Sequence, residues 1–127
     1  MLDAIVREGI HLAIASNKYQ EGTEALVKKY FGAYDFVCIL GQREGRPIKP
    51  DPEIIHEAME SLPGTTVAEV VYCGDSDVDM QTGINAGVRT IGAAWGFRTR
   101  EELSAYNPWL MVERPDEIVK AIVRGFE

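Results

Sequence analysis

Apolar positions along the chain fall into two alternating patterns: short, nearly unbroken runs, and longer stretches where they recur every three or four residues. The runs at residues 10–15, 36–40, 70–73 and 90–94 predict strands covered on both faces, and residues 110–112 a short edge strand. Helical spacing puts Leu2, Ile5 and Val6 on one face of residues 1–8, with Gly9 as the stop. A second helix is expected from about residue 23 to 31, with Leu26, Val27, Tyr30 and Phe31 facing inward. Asp51 and Pro52 suit the cap and first position of a third, which carries Ile54, Ile55, Ala58, Met59 and Leu62. A fourth leads out of an acidic turn after Gly74 and ends near Gly87. Thr99 with Glu102 forms a capping-box pattern for residues 100–105, and Pro115 opens a closing helix that buries Ile118, Val119, Ile122 and Val123.

Strands alternating with helices predict an α/β fold, a three-layer, Rossmann-like parallel sheet formed by one domain over residues 1–127. Composition changes this picture little. With 46% hydrophobic and 26% charged residues the chain is ordinary for a soluble protein, and 127 residues suffice for a real core. A net charge of -7 argues against a nucleic-acid partner, because binding to a phosphate backbone needs a basic face. No apolar run reaches membrane-spanning length, and no basic segment followed by a signal core opens the chain, so a cytoplasmic protein is expected. Cys38 and Cys73, both in apolar runs, read as buried free thiols.

Ligands of open α/β sheets collect at the carboxyl ends of the strands. There the first strand delivers Ser16 and Asn17, the second leads into the loop holding Lys49, and the third delivers Asp75 and Asp79. A hydroxyl, an amide, an ammonium and a carboxylate pair suit a phosphate held beside a divalent cation. Ser16 would donate to a phosphate oxygen, and Lys49 would act as a point charge on it. Asp75 would bind Mg2+ directly, and Asp79, four residues on, would stand behind it or act through water. Each part has a plainer reading. The run Asp75, Ser76, Asp77, Asp79 is equally a helix start with Ser76 as cap, and Ser16-Asn17 alone is a turn. Lys49 alone is a surface lysine. His11 and His56 lack ligand spacing and read as structural, while Trp95 and Phe97 read as packing.

The order of these motifs resembles the haloacid dehalogenase superfamily of phosphatases, in particular its phosphoglycolate phosphatase-like branch. Ala15-Ser16-Asn17-Lys18 is similar to the second family motif, Ile48-Lys49-Pro50-Asp51-Pro52 to the third, and Gly74-Asp75-Ser76-Asp77-Val78-Asp79 to the fourth. Asn85-Ala86-Gly87 and Trp95-Gly96-Phe97-Arg98 also look like this branch. The resemblance implies that Ser16, Asn17 and Lys49 bind the transferring phosphoryl group, Ser16 and Lys49 with catalytic roles. It implies that Asp75 and Asp79 hold Mg2+, with Asp77 outside the pattern, and that the substrate is a small phosphorylated metabolite such as phosphoglycolate.

The first family motif, an Asp-x-Asp whose first carboxylate is the nucleophile, has no counterpart before residue 10, and neither has the cap domain. By the resemblance that motif lies on a central strand between residues 10–15 and 70–73. The sheet is therefore expected to be incomplete and the isolated chain inactive. The two flanking strands should either pair with each other or take a strand from elsewhere, through a homo-oligomer or a strand-complementing partner. A non-catalytic metal- and phosphate-binding or assembly module is the alternative. A phosphoacceptor receiver domain fits less well, because its acidic pair follows the first strand, where Ser16-Asn17 stands.

Overall fold

The computed structural model describes residues 1–96 and 98–125. Its elements, in chain order, are α1 (Leu2–Arg7), β1 (Leu12–Tyr19), α2 (Gln20–Phe31), β2 (Phe36–Gln42), α3 (Glu53–Glu60), β3 (Val71–Gly74), α4 (Asp77–Ala86), β4 (Arg89–Ala93), α5 (Arg100–Ser104), β5 (Leu110–Val112) and α6 (Pro115–Gly125). A single 3-10 turn, Val67–Glu69, precedes β3. The alternation is the one the apolar pattern predicts.

All ladders are parallel, but they form two sheets: β1 with β2, and β4 flanked by β3 and β5. β1 and β3 share no ladder, so the expected direct pairing of these two strands does not occur. Met1 and the residues after it form α1, and supply no strand between them. Exposure follows from this arrangement. Ala13 on β1 and Cys73 on β3 are exposed although each lies in an apolar strand, which corrects the expectation of two buried thiols; Cys38 is half-buried.

Two apolar clusters hold the halves together. One gathers Ile5, Ile91, Val112, Ile118 and Ile122, with Leu12 of β1 and Val71 of β3 packed against it. The other gathers Leu40, Ile54, Ile55, Ala86 and Val88, with Ala15 and Cys38 from one sheet and Tyr72 from the other. Each cluster thus draws on both sheets, with α1 and α6 on one face and α3 and α4 on the other. At about 1.5–3 kcal/mol for each fully buried aliphatic side chain, this packing stands in for the backbone ladder that β1 and β3 lack.

Further expectations need correction. α2 starts at Gln20 rather than near Thr23, and it buries Thr23 and Val27 while Leu26, Tyr30 and Phe31 stay exposed. The Thr23 hydroxyl explains the shift, since it donates back to the carbonyls of Lys18 and Tyr19 and turns that face inward. Trp95 is exposed rather than packed, and Val6 is exposed on α1. Both histidines lie on the surface. Phe97 lies outside the described residues.

Candidate phosphoryl site

β1 runs past its apolar stretch because of a bulge. Ala15 faces Leu40 and Tyr19 faces Gln42, so β1 advances four residues while β2 advances two. The extra length lifts Ser16, Asn17 and Lys18 out of the ladder, a device that re-aims side chains at strand ends. The Ser16 Oγ accepts the Lys18 N–H at 3.1 Å and closes a tight turn. Asn17 reaches across to the loop after β2. Its Oδ1 accepts the Lys49 N–H at 2.9 Å, and its Nδ2 donates to the Lys49 carbonyl at 3.2 Å. Its amide therefore grips the backbone of the lysine. One residue on, the Asn85 side chain of α4 donates to the Pro50 carbonyl at 2.9 Å. Farther back, Arg43 makes a two-pronged pair with Glu57 of α3, at 2.6 and 2.9 Å. The loop between β2 and α3 is thereby tied down at both ends.

The Lys49 ammonium lies over the junction of the two sheets. It donates to Asp79 Oδ1 at 2.7 Å, to the Tyr72 hydroxyl at 3.0 Å and to the Ala15 carbonyl at 3.3 Å. The Lys49 and Asp79 side chains are each 10% exposed. A lysine has three N–H donors, and all three are used.

Asp79 is the hub of the turn. Oδ1 accepts from Lys49 and from the Tyr72 hydroxyl at 2.9 Å, while Oδ2 accepts the Asp75 N–H at 3.1 Å and the Ser76 hydroxyl at 3.0 Å. Ser76 caps α4, its Oγ accepting the Asp79 N–H. Burial alone would raise the Asp79 pKa, but the Lys49 charge and these donors outweigh it and hold the carboxyl below its ordinary range. The Tyr72 phenol is pushed upward, first by burial and then by the Asp79 charge.

Asp75 heads the turn beside Gly96. A methyl group at Gly96 would collide with the Asp75 carboxylate, so only glycine lets this loop close on it. The Asp75 carbonyl accepts the Arg98 N–H at 3.0 Å, and the Arg98 side chain pairs with Asp77 at 3.2 Å. Asp77 is thereby engaged by an arginine on a part-exposed surface. Lys49 and Asp79 come together beside Ala15, Asp75 joins them through its backbone N–H on Asp79, and Ser16 and Asn17 lie in the bulge that follows Ala15. Tyr72 was not singled out in the sequence, where it reads as one more strand residue. The available signal was its hydroxyl, which in a mostly apolar strand needs a partner.

Among the described residues, no three His, Cys, Asp or Glu side chains converge as a metal-binding group. Magnesium commonly keeps several waters and takes one or two protein carboxylates, so a contribution from Asp75 alone fits that ion. Asp79, with both oxygens engaged by four donors, fits a supporting place better than direct ligation.

The class is thus a three-layer parallel α/β fold with a lysine–carboxylate centre at the carboxyl ends of its strands. Residues 1–93 match the haloacid dehalogenase-like hydrolase family, and the chain belongs to that family. It is 31% identical to pyrophosphatase PpaX of Bacillus velezensis, over 93% of this chain and 54% of that protein. It is 30% identical to phosphoglycolate phosphatase of Aquifex aeolicus, over 94% and 54%. A crystal structure from Lactobacillus delbrueckii subsp. bulgaricus, provisionally assigned as a phosphoglycolate phosphatase, superposes with a TM-score of 0.87 at 32% identity, covering 95% of this chain and 50% of that one. A hydrolase of the same superfamily from Ehrlichia chaffeensis superposes at 0.79 with 25% identity, over 99% and 56%. The chain spans about half the length of the curated relatives it matches.

Proposed function

We propose that these 127 residues form the phosphoryl- and metal-binding half of a magnesium-dependent phosphatase acting on a small phosphorylated metabolite. The observation that carries this reading is the Lys49 ammonium, held almost out of solvent where the β1 bulge meets the Asp75–Asp79 turn. A cation in that place can neutralise charge on a transferring phosphoryl group, and the Ser16 hydroxyl at the bulge can donate to one of its oxygens. Asn17 keeps the Lys49 backbone in place, Asp79 attracts its ammonium, and Asp75 would hold Mg2+. The ion, when bound, would supply Lewis-acid neutralisation of the phosphoryl oxygens.

In this reading the attacking carboxylate comes from a segment outside the 127 residues that pairs between β1 and β3. The carboxylate oxygen attacks phosphorus as the ester P–O bond breaks, and the leaving alcohol takes a proton from the segment's second Asp. Water then cleaves the aspartyl-phosphate, releasing inorganic phosphate and restoring the carboxylate. The isolated chain would therefore turn over little or no substrate. The names of the relatives suggest pyrophosphate and phosphoglycolate as substrates to try first. A reducing, cytoplasmic setting belongs to the same reading and suits the two free cysteines; among the described residues no helix is long and apolar enough to cross a membrane.

The test is phosphate release from an aryl phosphate, pyrophosphate and phosphoglycolate, with and without Mg2+ and with and without a supplied segment carrying Asp-x-Asp. Turnover that requires both additions is expected. Turnover by the chain alone would refute the view that its nucleophile lies elsewhere. The second reading, a non-catalytic binding or assembly module, draws on the fact that Lys49 already has all three donors satisfied internally. It predicts magnesium-linked phosphate binding that never becomes hydrolysis, even with the segment supplied.

A further inference from the structure

Tyr72 makes a contribution that the proposed reaction does not use. A lysine is a point charge on a flexible four-carbon stem, and its use at a fixed phosphoryl position depends on what restrains the ammonium. Asp79 supplies attraction but cannot by itself set direction, because a carboxylate oxygen accepts over a broad range of angles. The Tyr72 hydroxyl supplies the missing restraint. It accepts from Lys49 at 3.0 Å while donating to the same Asp79 oxygen at 2.9 Å, closing a three-membered ring of hydrogen bonds with the 2.7 Å Lys49–Asp79 contact. The ammonium also lies 5.7 Å from the centre of the Tyr72 ring.

Tyr72 is itself well anchored. Its backbone is paired with Thr90 in the β3–β4 ladder, and its ring packs against the cluster formed by Leu40, Ile54, Ile55, Ala86 and Val88. Two χ angles and a fixed backbone make it a far stiffer support than the lysine it holds. Tyr72 also stands on the opposite sheet from Ala15, the third acceptor, so the ammonium is held from both sides of the junction.

We propose that Tyr72 is the positioning residue of the phosphoryl site, its hydroxyl fixing the Lys49 ammonium and the Asp79 carboxylate in one geometry. The proposal rests on the reading of Lys49 as the phosphoryl-binding cation. Its test uses the 127-residue chain and its Tyr72→Phe variant, and compares two measurements. The first is the rate at which Lys49 is acylated by a water-soluble ester, with Lys28 and Lys120 as references in the same digest. The second is the affinity for inorganic phosphate in the presence of Mg2+, measured by calorimetry on protein shown to be folded.

In Tyr72→Phe, Lys49 should be labelled several-fold faster while the reference lysines are unchanged. Phosphate affinity should fall about tenfold, the effect of one hydrogen bond to a charged group. A merely structural tyrosine would lower the melting temperature without moving either readout. Unchanged Lys49 labelling in a folded variant overturns the proposal. If the unsubstituted chain binds no phosphate even with the Asp-x-Asp segment supplied, yet shows Tyr72-dependent protection of Lys49, the phosphatase reading fails and the positioning of Lys49 stands.

Should the variant not fold, nuclear magnetic resonance on the unsubstituted chain decides instead. Slowly exchanging Lys49 ammonium protons, with cross-relaxation from the Tyr72 ring, support the proposal, and a mobile, averaged ammonium overturns it.

Discussion

Asp79 shows how far one side chain can be committed. Four donors meet its two oxygens, and the strongest, Lys49, is as buried as Asp79 itself. Removing one member of such a pair leaves a buried charge without a partner. Lys49→Met should therefore cost about 3 kcal/mol in urea unfolding, within the range for broken buried pairs. The double variant Lys49→Met with Asp79→Asn should cost less than Lys49→Met alone, because the stranded carboxylate is gone. Strict additivity of the two single changes would show that they do not act as a pair. At this scale the sequence was partly legible. The order of polar residues at the strand ends brought forward Lys49, Asp75 and Asp79, and the resemblance, not the local sequence, set Asp77 aside. Neither could show that the Asn17 amide serves the lysine backbone, or that Tyr72 meets Lys49, because both contacts join residues 23 or more apart.

Elements position these residues through a few contacts. α4 sits on β4 where Gly83 meets Thr90, and a methyl group at position 83 would collide with the Thr90 Cγ2. Gly83→Ala should destabilise the fold by about 1–3 kcal/mol through overpacking, and it should disturb Asp79, one turn earlier on the same helix. Thermal melts alongside phosphate titration would separate the two effects. The Lys49 loop depends on a different joint, the Arg43–Glu57 pair. The Arg43 hydrogen bonds hold the Glu57 carboxyl below its ordinary value of 4.5, with burial opposing them. A depressed carboxylate stabilises the fold above that ordinary value, and the contribution disappears as the pH falls through the depressed one. The stability gap between the natural chain and Glu57→Gln should be about 1 kcal/mol near neutrality and should close with acidification below pH 4.5. A gap independent of pH would contradict this account. Element order and type were readable from periodicity, whereas the length of β1 was not. The bulge arises from pairing with Gln42, and nothing local to Ser16-Asn17-Lys18 signals it.

Across the whole molecule, the division into two sheets sets the pattern of stability. β4 is paired on both sides, with Ile91 fully buried, while β1 and β3 are each paired on one side. Hydrogen exchange should find the β4 amides slowest, and those of β1 and β3 that point away from their ladders fast. A strand supplied between β1 and β3 should slow the latter group selectively. If they are already as slow as β4, the inner edges are not open in solution. The resemblance implied a missing central strand, but the expectation that β1 and β3 would pair directly failed, because pairing depends on global packing that the motifs do not report. Two mixed clusters keep the halves together without any exchange of backbone bonds, so the expected direct pairing is not needed to hold them.

In the proposed phosphatase, the position of the Lys49 ammonium across that junction would link substrate handling to assembly. Its acceptors belong to different halves, the Ala15 carbonyl to one and Tyr72 with Asp79 to the other, so any sliding of one half past the other changes those distances first. A phosphate bound as proposed would have to displace one of them to gain an N–H, and the longest, at 3.3 Å, is the contact to Ala15. A neighbouring strand that offered Ala15 a backbone donor would make that exchange easier. By reciprocity, phosphate on Lys49 would then strengthen the docking of the strand. Ligand affinity and completion of the sheet become two readings of one equilibrium.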